Sequence, residues 1–246
     1  DQFTVTDAHR RTAKHAYYGM ISYIDDKIAA LRTALNRTGM ADDTIIIFTA
    51  DHGEMMGERG MWYKQHFFEW AAHIPLIFHA PKRWSAGRIR QNCALVDIMP
   101  SLLDLAVDGK FNDYVGPIDG QSLVPALHGE TNHMRDIAIS EFAADGSTGP
   151  SRMVKRGSMK YMDLEGVDRL LFDLETDPFE LHDLINDPAY AKIAAELQTI
   201  CTADWDREAM YDKIAADQRR RLKVHSSSGG EPTYVNIVRA DDANRY

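Results

Sequence analysis

The sequence predicts an α/β domain followed by a small antiparallel β-sheet, and three features predict it. Apolar residues recur at helical spacing over 7–37 and lead into a β-branched run at 44–50. A second short apolar run follows at 74–80. Beyond residue 136 the texture changes to short strand-like runs separated by turns.

The long helix has both of its punctuation marks. Thr6 or Asp7 stands where a helix needs an acceptor for its first free N–H groups, and Gly39 where the chain must leave it. Between them Ala13, Ala16, Tyr17, Met20, Ile21, Ile24, Ile28 and Leu31 trace one face, which predicts a wide buried stripe. Asp42 and Asp43 then turn the chain into Thr44-Ile45-Ile46-Ile47-Phe48-Thr49-Ala50. A run this short, continuous and β-branched predicts a strand buried on both faces of a mostly parallel sheet. Helix, tight loop and buried strand make an α/β unit.

Further along, 74–80 predicts another strand and 96–105 a helix with Asp97 near its start, while 116–129 is loop-rich. Strands are expected at 137–142, 152–155, 160–163 and 169–174, as one antiparallel sheet. Helices are expected at 188–199 and 204–222, and 226–230 has the composition of a flexible linker. The expected division is 1–135 for the α/β part, 136–225 for the small sheet with its helices, and 226–246 for a terminal extension.

Acidic residues outnumber basic ones, for a formal net charge of −9. A non-specific nucleic-acid binder leans the other way, so no nucleic-acid partner is expected. No apolar run approaches the length that crosses a bilayer, so no membrane partner is expected either. The chain opens like the middle of a protein, so the absence of a leader peptide there carries little weight; a cytoplasmic location is expected. The two cysteines, Cys93 and Cys201, make no disulfide framework and no zinc-ligand spacing.

Chemistry concentrates in Asp51-His52-Gly53, directly past the end of the first strand. In open α/β sheets ligands bind beyond the carboxyl ends of strands. A carboxylate and an imidazole on a rigid strand end can hold a divalent cation, and glycine permits a sharp turn there. On these three residues alone, a turn capped by an aspartate is an equal reading.

The surrounding segment is TIIIFTADHGEMMGERGMWYKQHFFEWAAHIPLIF, residues 44–78. It resembles the sulfatase family of the alkaline-phosphatase superfamily in motif and spacing: strand, D-H-G, Gly-containing loop, lysine, aromatic-Glu pair, x-x-P-L-I. The helix carrying YGMISYIDD at 18–26 and the segment LFDLETDPFE at 171–180 are similar to the same family. The resemblance implies an alkaline-phosphatase-like α/β sandwich, of which this is the rear part, plus a small antiparallel C-terminal subdomain. It implies that Asp51 and His52 are metal ligands and that Lys64 contacts a sulfate oxygen and the leaving-group side. A compact ammonium suits such a tetrahedral oxyanion. His66 and Glu69 are weaker candidates with structural roles expected. Asp25-Asp26, His73 and His79 are expected to be solvated or packed rather than ligating. The implied cofactor is a divalent metal, calcium foremost, with magnesium or manganese as alternatives.

The family's nucleophile is a formylglycine made from Cys or Ser in C/S-x-P/A-x-R. Neither cysteine fits, and Thr148-Gly149-Pro150-Ser151-Arg152 lies in the wrong half, as a turn entering a strand. The formylglycine is therefore expected upstream of this chain, with the missing amino-terminal half as a partner, and the chain alone is not expected to turn over sulfate esters. The loop at 56–64 and the tail are closest to choline-sulfatase-like members, which implies a small alkyl sulfate such as choline sulfate and a homo-oligomer. Trp62 and Tyr63 offer aromatic faces to a quaternary ammonium, with packing under the sheet as the alternative. The tail departs from that pattern at Tyr234-Val235-Asn236-Ile237-Val238. Two other readings stand beside sulfate-ester hydrolysis: a phosphodiesterase or phosphonate monoester hydrolase of the same superfamily, and a non-catalytic assembly module.

Overall fold

The computed structural model describes residues 4–107, 116–143, 147 and 149–227. Residues 228–246, most of the expected linker and terminal extension, lie outside them. The chain forms two compact units: Asp1–Lys64 with Trp70–Ile89 and Pro125–Glu130, and Gln65–Glu69 with Arg90–Val124 and Thr131–Tyr246.

The first unit opens on helix α1 (Asp7–Thr38). The Thr6 hydroxyl accepts the His9 N–H, and Gly39 closes the helix at φ 73°. Strand β1 (Ile46–Thr49) follows and pairs with β2 (Leu76–His79), Ile46 facing His79 and Thr49 facing Leu76. Short helix α2 (Glu69–Ala72) lies between them in sequence.

Two expectations change here. The strand pair is antiparallel and each strand is four residues long and only partly buried, where a doubly buried parallel strand was expected. The stripe on α1 is not buried: no residue of the helix is, and Tyr18, Met20, Ile21, Tyr23, Ile24 and Leu31 are exposed. The reason is length. A helix of 32 residues spans about 48 Å, whereas a four-residue strand spans roughly 13 Å. Only Ala13, Tyr17 and Ile28 of the predicted stripe are even partly covered.

In the second unit the strands and helices fall near the stretches expected for them. Helix α3 (Ile98–Val107) is introduced by a short 3₁₀ turn, Leu95–Asp97. The Asp97 carboxylate accepts N–H groups from Ala94 and Gln121 at 2.8 Å each. Helix α4 (Val124–Leu127) follows, Val124 belonging to the second unit and the rest of the helix to the first. Then come β3 (Ile137–Phe142), β4 (Ser151–Arg156), β5 (Met159–Asp163) and β6 (Leu170–Asp173), all antiparallel in the order β3-β4-β5-β6. Helices α5 (Ala191–Thr202) and α6 (Arg207–Ser227) follow. Ser226 and Ser227, expected in a linker, continue α6, their hydroxyls bonded to the Lys223 and Val224 carbonyls.

Alternation along the strands builds two faces. On one, Val154, Tyr161 and Leu171 stand in register across β4, β5 and β6 and pack with Leu197 and Cys201 of α5. On the other, Met153, Met162 and Phe172 are buried, and the Phe68 ring meets Phe172 edge-on at 6.2 Å.

That second face carries an ion cluster. Lys155 and Lys160 sit directly opposite each other in the register, an arrangement that repels on its own. Glu69 resolves it, with one carboxylate oxygen 2.9 Å from the Lys160 ammonium and the other 3.4 Å from Lys155. Glu180 adds a second carboxylate 2.9 Å from Lys160, at an angle outside hydrogen-bond geometry, and its other oxygen accepts the Glu69 N–H at 2.8 Å. The Lys160 side chain is fully buried. Glu180 itself sits at φ 56°, a conformation that costs a non-glycine residue roughly 1–2 kcal/mol. The two carboxylates and two ammoniums make the cluster neutral, the condition for burying charge at all.

Candidate active site

All five residues singled out as ligands or substrate contacts belong to the first unit: Asp51, His52, Trp62, Tyr63 and Lys64. β1 ends at Thr49, so Asp51 and His52 stand at its carboxyl end. The Asp51 carboxylate accepts the His52 N–H at 2.9 Å and otherwise faces solvent. Its second oxygen lies 3.4 Å from His52 Nε2.

The His52 ring is oriented by its other nitrogen. Nδ1 lies 2.8 Å from the Gly53 carbonyl oxygen, which only accepts, so Nδ1 carries the proton. The Nε2 lone pair is then the free one, and Lys64 Nζ donates to it across 2.8 Å. A backbone carbonyl fixing one ring nitrogen while the other faces a cation is the arrangement of ligating histidines generally.

Glycine at 53 is required by contact rather than by φ. A Cβ there would stand 2.1 Å from the Trp70 carbonyl oxygen. The close approach lets Gly53 N–H donate to Ala71 O at 2.8 Å and Glu54 N–H to Trp70 O at 2.9 Å, tying the Asp51–Gly53 turn to α2.

From Glu54 to Lys64 the chain makes a compact loop with many local bonds. Met55 N–H donates to Tyr63 O and Gly57 N–H to Met61 O, each at 2.8 Å. Met55 and Met56 are buried beneath it. Five residues adopt positive φ: Met56, Gly57, Arg59, Gly60 and Tyr63. Gly57 is needed for its φ of 81°. Lys14 of α1 forms a half-buried ion pair with Glu58. Trp62 is half-buried against Gly57, and Tyr63 is 68% exposed.

The weaker candidates separate. Glu69 belongs to the buried ion cluster, a structural role. Burial lowers the pKa of His66 below that of a free imidazole. His79 lies within β2, and Asp25 and Asp26 are exposed on α1. The residue that sequence reasoning passed over is Glu54. Its Oε1 accepts the N–H of Met56 at 3.1 Å and of Tyr63 at 2.7 Å. The available signal was a carboxylate opening a glycine-rich loop, where acceptors for turn N–H groups are in demand.

Chemically, the site offers one carboxylate, one imidazole lone pair and one ammonium converging at a strand end. The 3.4 Å between the Asp51 oxygen and His52 Nε2 is near the roughly 3 Å that separates neighbouring ligands of one octahedral ion. Among the described residues no group of three or more His, Cys, Asp or Glu side chains forms a complete metal cage. Asp51 and His52 thus fit part of a ligand set.

Comparison with known proteins identifies relatives of the chain. The Sulfatase family matches residues 2–109, and the family described as N-sulphoglucosamine sulphohydrolase, C-terminal, matches 57–204, more than half of the chain. The chain is 37% identical to the choline-sulfatase of Rhizobium meliloti over 92% of its own length and 44% of that protein. It is 31% identical to an arylsulfatase of Clostridium perfringens, over 82% of its length and 42% of the relative. The crystal structure of a phosphonate monoester hydrolase of Agrobacterium radiobacter superposes with a TM-score of 0.69 at 32% identity, covering 79% of this chain and 41% of that one. The chain spans less than half the length of these relatives. By sequence and by fold, the chain belongs to the sulfatase family of the alkaline-phosphatase superfamily, corresponding to its carboxyl-terminal part.

Proposed function

We propose that the complete protein hydrolyses sulfate esters, with this chain supplying two metal ligands and one oxyanion contact. The observation that carries the reading is His52 at the end of β1: Nδ1 is held by the Gly53 carbonyl, and Nε2 turns toward both the Asp51 carboxylate and the Lys64 ammonium. Asp51 and His52 would hold a divalent cation, in place of the Lys64 hydrogen bond on Nε2, with calcium foremost and magnesium or manganese as alternatives. The cation would supply Lewis-acid polarisation of an ester oxygen. Lys64 would hold a non-bridging oxygen of the tetrahedral group, where negative charge accumulates during transfer. The remaining ligands and a formylglycine nucleophile would come from sequence upstream of residue 1, as the family resemblance implies.

A small alkyl sulfate, choline sulfate in particular, is the proposed substrate. Supporting it are the 37% identity to a choline-sulfatase and the aromatic pair Trp62-Tyr63 beside Lys64. A second reading, phosphonate monoester hydrolysis, is favoured by the superposition on the Agrobacterium enzyme. The test is turnover by the full-length protein of choline sulfate, an aryl sulfate and an aryl phosphonate monoester. Preference for the sulfates supports the first reading and preference for the phosphonate the second. Activity on none of them contradicts both and leaves a non-catalytic assembly role.

A further inference from the structure

We propose that Glu54 is a positioning residue for Lys64, acting through the backbone of Tyr63. The inference rests on the reading of Lys64 as the oxyanion contact, and deepens it by naming what aims that side chain.

Four observations converge. First, a single carboxylate oxygen of Glu54 accepts two backbone N–H groups, one two residues away at Met56 and one nine residues away at Tyr63. The Tyr63 bond, at 2.7 Å, is short, as expected of an ionised acceptor. Second, the other backbone polar group of the same residue is held from position 55: Tyr63 O accepts the Met55 N–H at 2.8 Å. Residues 54 and 55 therefore grip both sides of Tyr63. Third, Tyr63 sits at φ 65°, in the left-handed region that an aromatic residue avoids. Its side chain is 68% exposed, so side-chain packing contributes little to holding it there. The Glu54 and Met55 bonds are what offset the strain. Fourth, Glu54 is itself anchored, its N–H donating to Trp70 O at 2.9 Å, beside the Gly53 bond to Ala71.

The consequence falls on the next residue. Lys64 leaves Tyr63 in the direction set by that left-handed turn, and its ammonium arrives 2.8 Å from His52 Nε2. Without the acceptor at 54, Tyr63 relaxes toward an ordinary extended or helical φ, and a four-carbon side chain pivoting on it no longer converges on His52. The requirement is for an acceptor oxygen, not for a charge, because both N–H groups go to the same atom. Glutamine can replace glutamate here, and alanine cannot.

The test uses the full-length protein with Glu54→Ala and Glu54→Gln. Amide exchange at Tyr63 and Met56 is followed beside kcat and KM for an aryl sulfate. Glu54→Ala is expected to speed Tyr63 exchange at least tenfold and to lower kcat at least tenfold, with β3–β6 amides unchanged. Glu54→Gln is expected to restore kcat to within about threefold of wild type. Unchanged Tyr63 exchange in folded Glu54→Ala overturns the proposal, as does a kcat loss that Glu54→Gln fails to rescue. Should Glu54→Ala not fold, Glu54→Gln remains informative: the weaker neutral acceptor raises Tyr63 exchange a few-fold if the bond exists, and leaves it unchanged if it does not. A wild-type protein inactive on every ester refutes the proposed function, while the exchange arm still decides the role of Glu54.

Discussion

The imidazole Nε2 of His52 accepts from the ammonium of Lys64 across 2.8 Å, although twelve residues and a strained loop separate them in sequence. Both side chains are accessible to solvent, so neither is there to complete a core.

That accessibility makes Lys64 separable from folding. Lys64→Ala in the full-length enzyme is expected to lower kcat by about 10²–10³-fold, the usual effect of losing one oxyanion contact. Its unfolding free energy is expected to change by no more than about 0.5 kcal/mol, as for surface substitutions away from special features. Parallel denaturation and rate measurements check this. A stability loss that accounts for the lost activity would make Lys64 a structural residue.

Lys160 is expected to behave in the opposite way. Its ammonium is fully buried between Glu69 and Glu180. Lys160→Met keeps the length of the side chain but leaves an uncompensated carboxylate in the interior, at a cost of roughly 3–5 kcal/mol. Urea denaturation reads the loss directly. Adding Glu180→Gln to Lys160→Met is expected to recover part of it, because the excess negative charge is removed. Full additivity of the two substitutions would mean that the pair is not coupled.

Stability is also expected to fall in alkali. Burial pushes the Cys201 thiol from 9.0 up to about 11, with the nearby Asp163 charge adding to the effect. Burial likewise raises Tyr161, to about 12. These groups are neutral when protonated, so the sign follows: the unfolded chain loses the Cys201 proton first. Stability is complete below about pH 9 and declines until the folded-state value is passed. A shift of this size corresponds to roughly 2–3 kcal/mol for Cys201 alone. Denaturation midpoints at pH 8 and pH 10.5 check the expectation, and Cys201→Ala should flatten the difference. Equal pH dependence with and without the thiol would place the alkaline loss elsewhere.

Legibility in the sequence divided along physical lines. Local signals survived: Thr6 and Gly39 bound α1, and alternation found all four strands of the small sheet to within two residues. Burial did not follow from periodicity. The α1 stripe is helical in spacing and yet exposed among the described residues, because amphipathicity records that a face wants a cover without recording what provides one. Pairing direction was likewise hidden, since a four-residue apolar run reads alike in parallel and antiparallel sheets. At the site, Asp51, His52 and Lys64 were singled out by the resemblance of residues 44–78 to the sulfatase family. Glu54 was not, because a carboxylate bonded to backbone N–H groups leaves no periodic trace. Lys160 was equally silent, its meaning depending on Glu69 and Glu180, 91 residues before it and 20 after.

Metal content of the purified full-length protein is the most direct measurement of the central claim. Elemental analysis is predicted to find close to one divalent cation per chain in the wild type and a sharp loss in Asp51→Asn, which keeps the shape of the side chain but gives up its charge. Equal metal content in the two proteins, or none in either, would contradict the assignment of Asp51 and His52 as ligands.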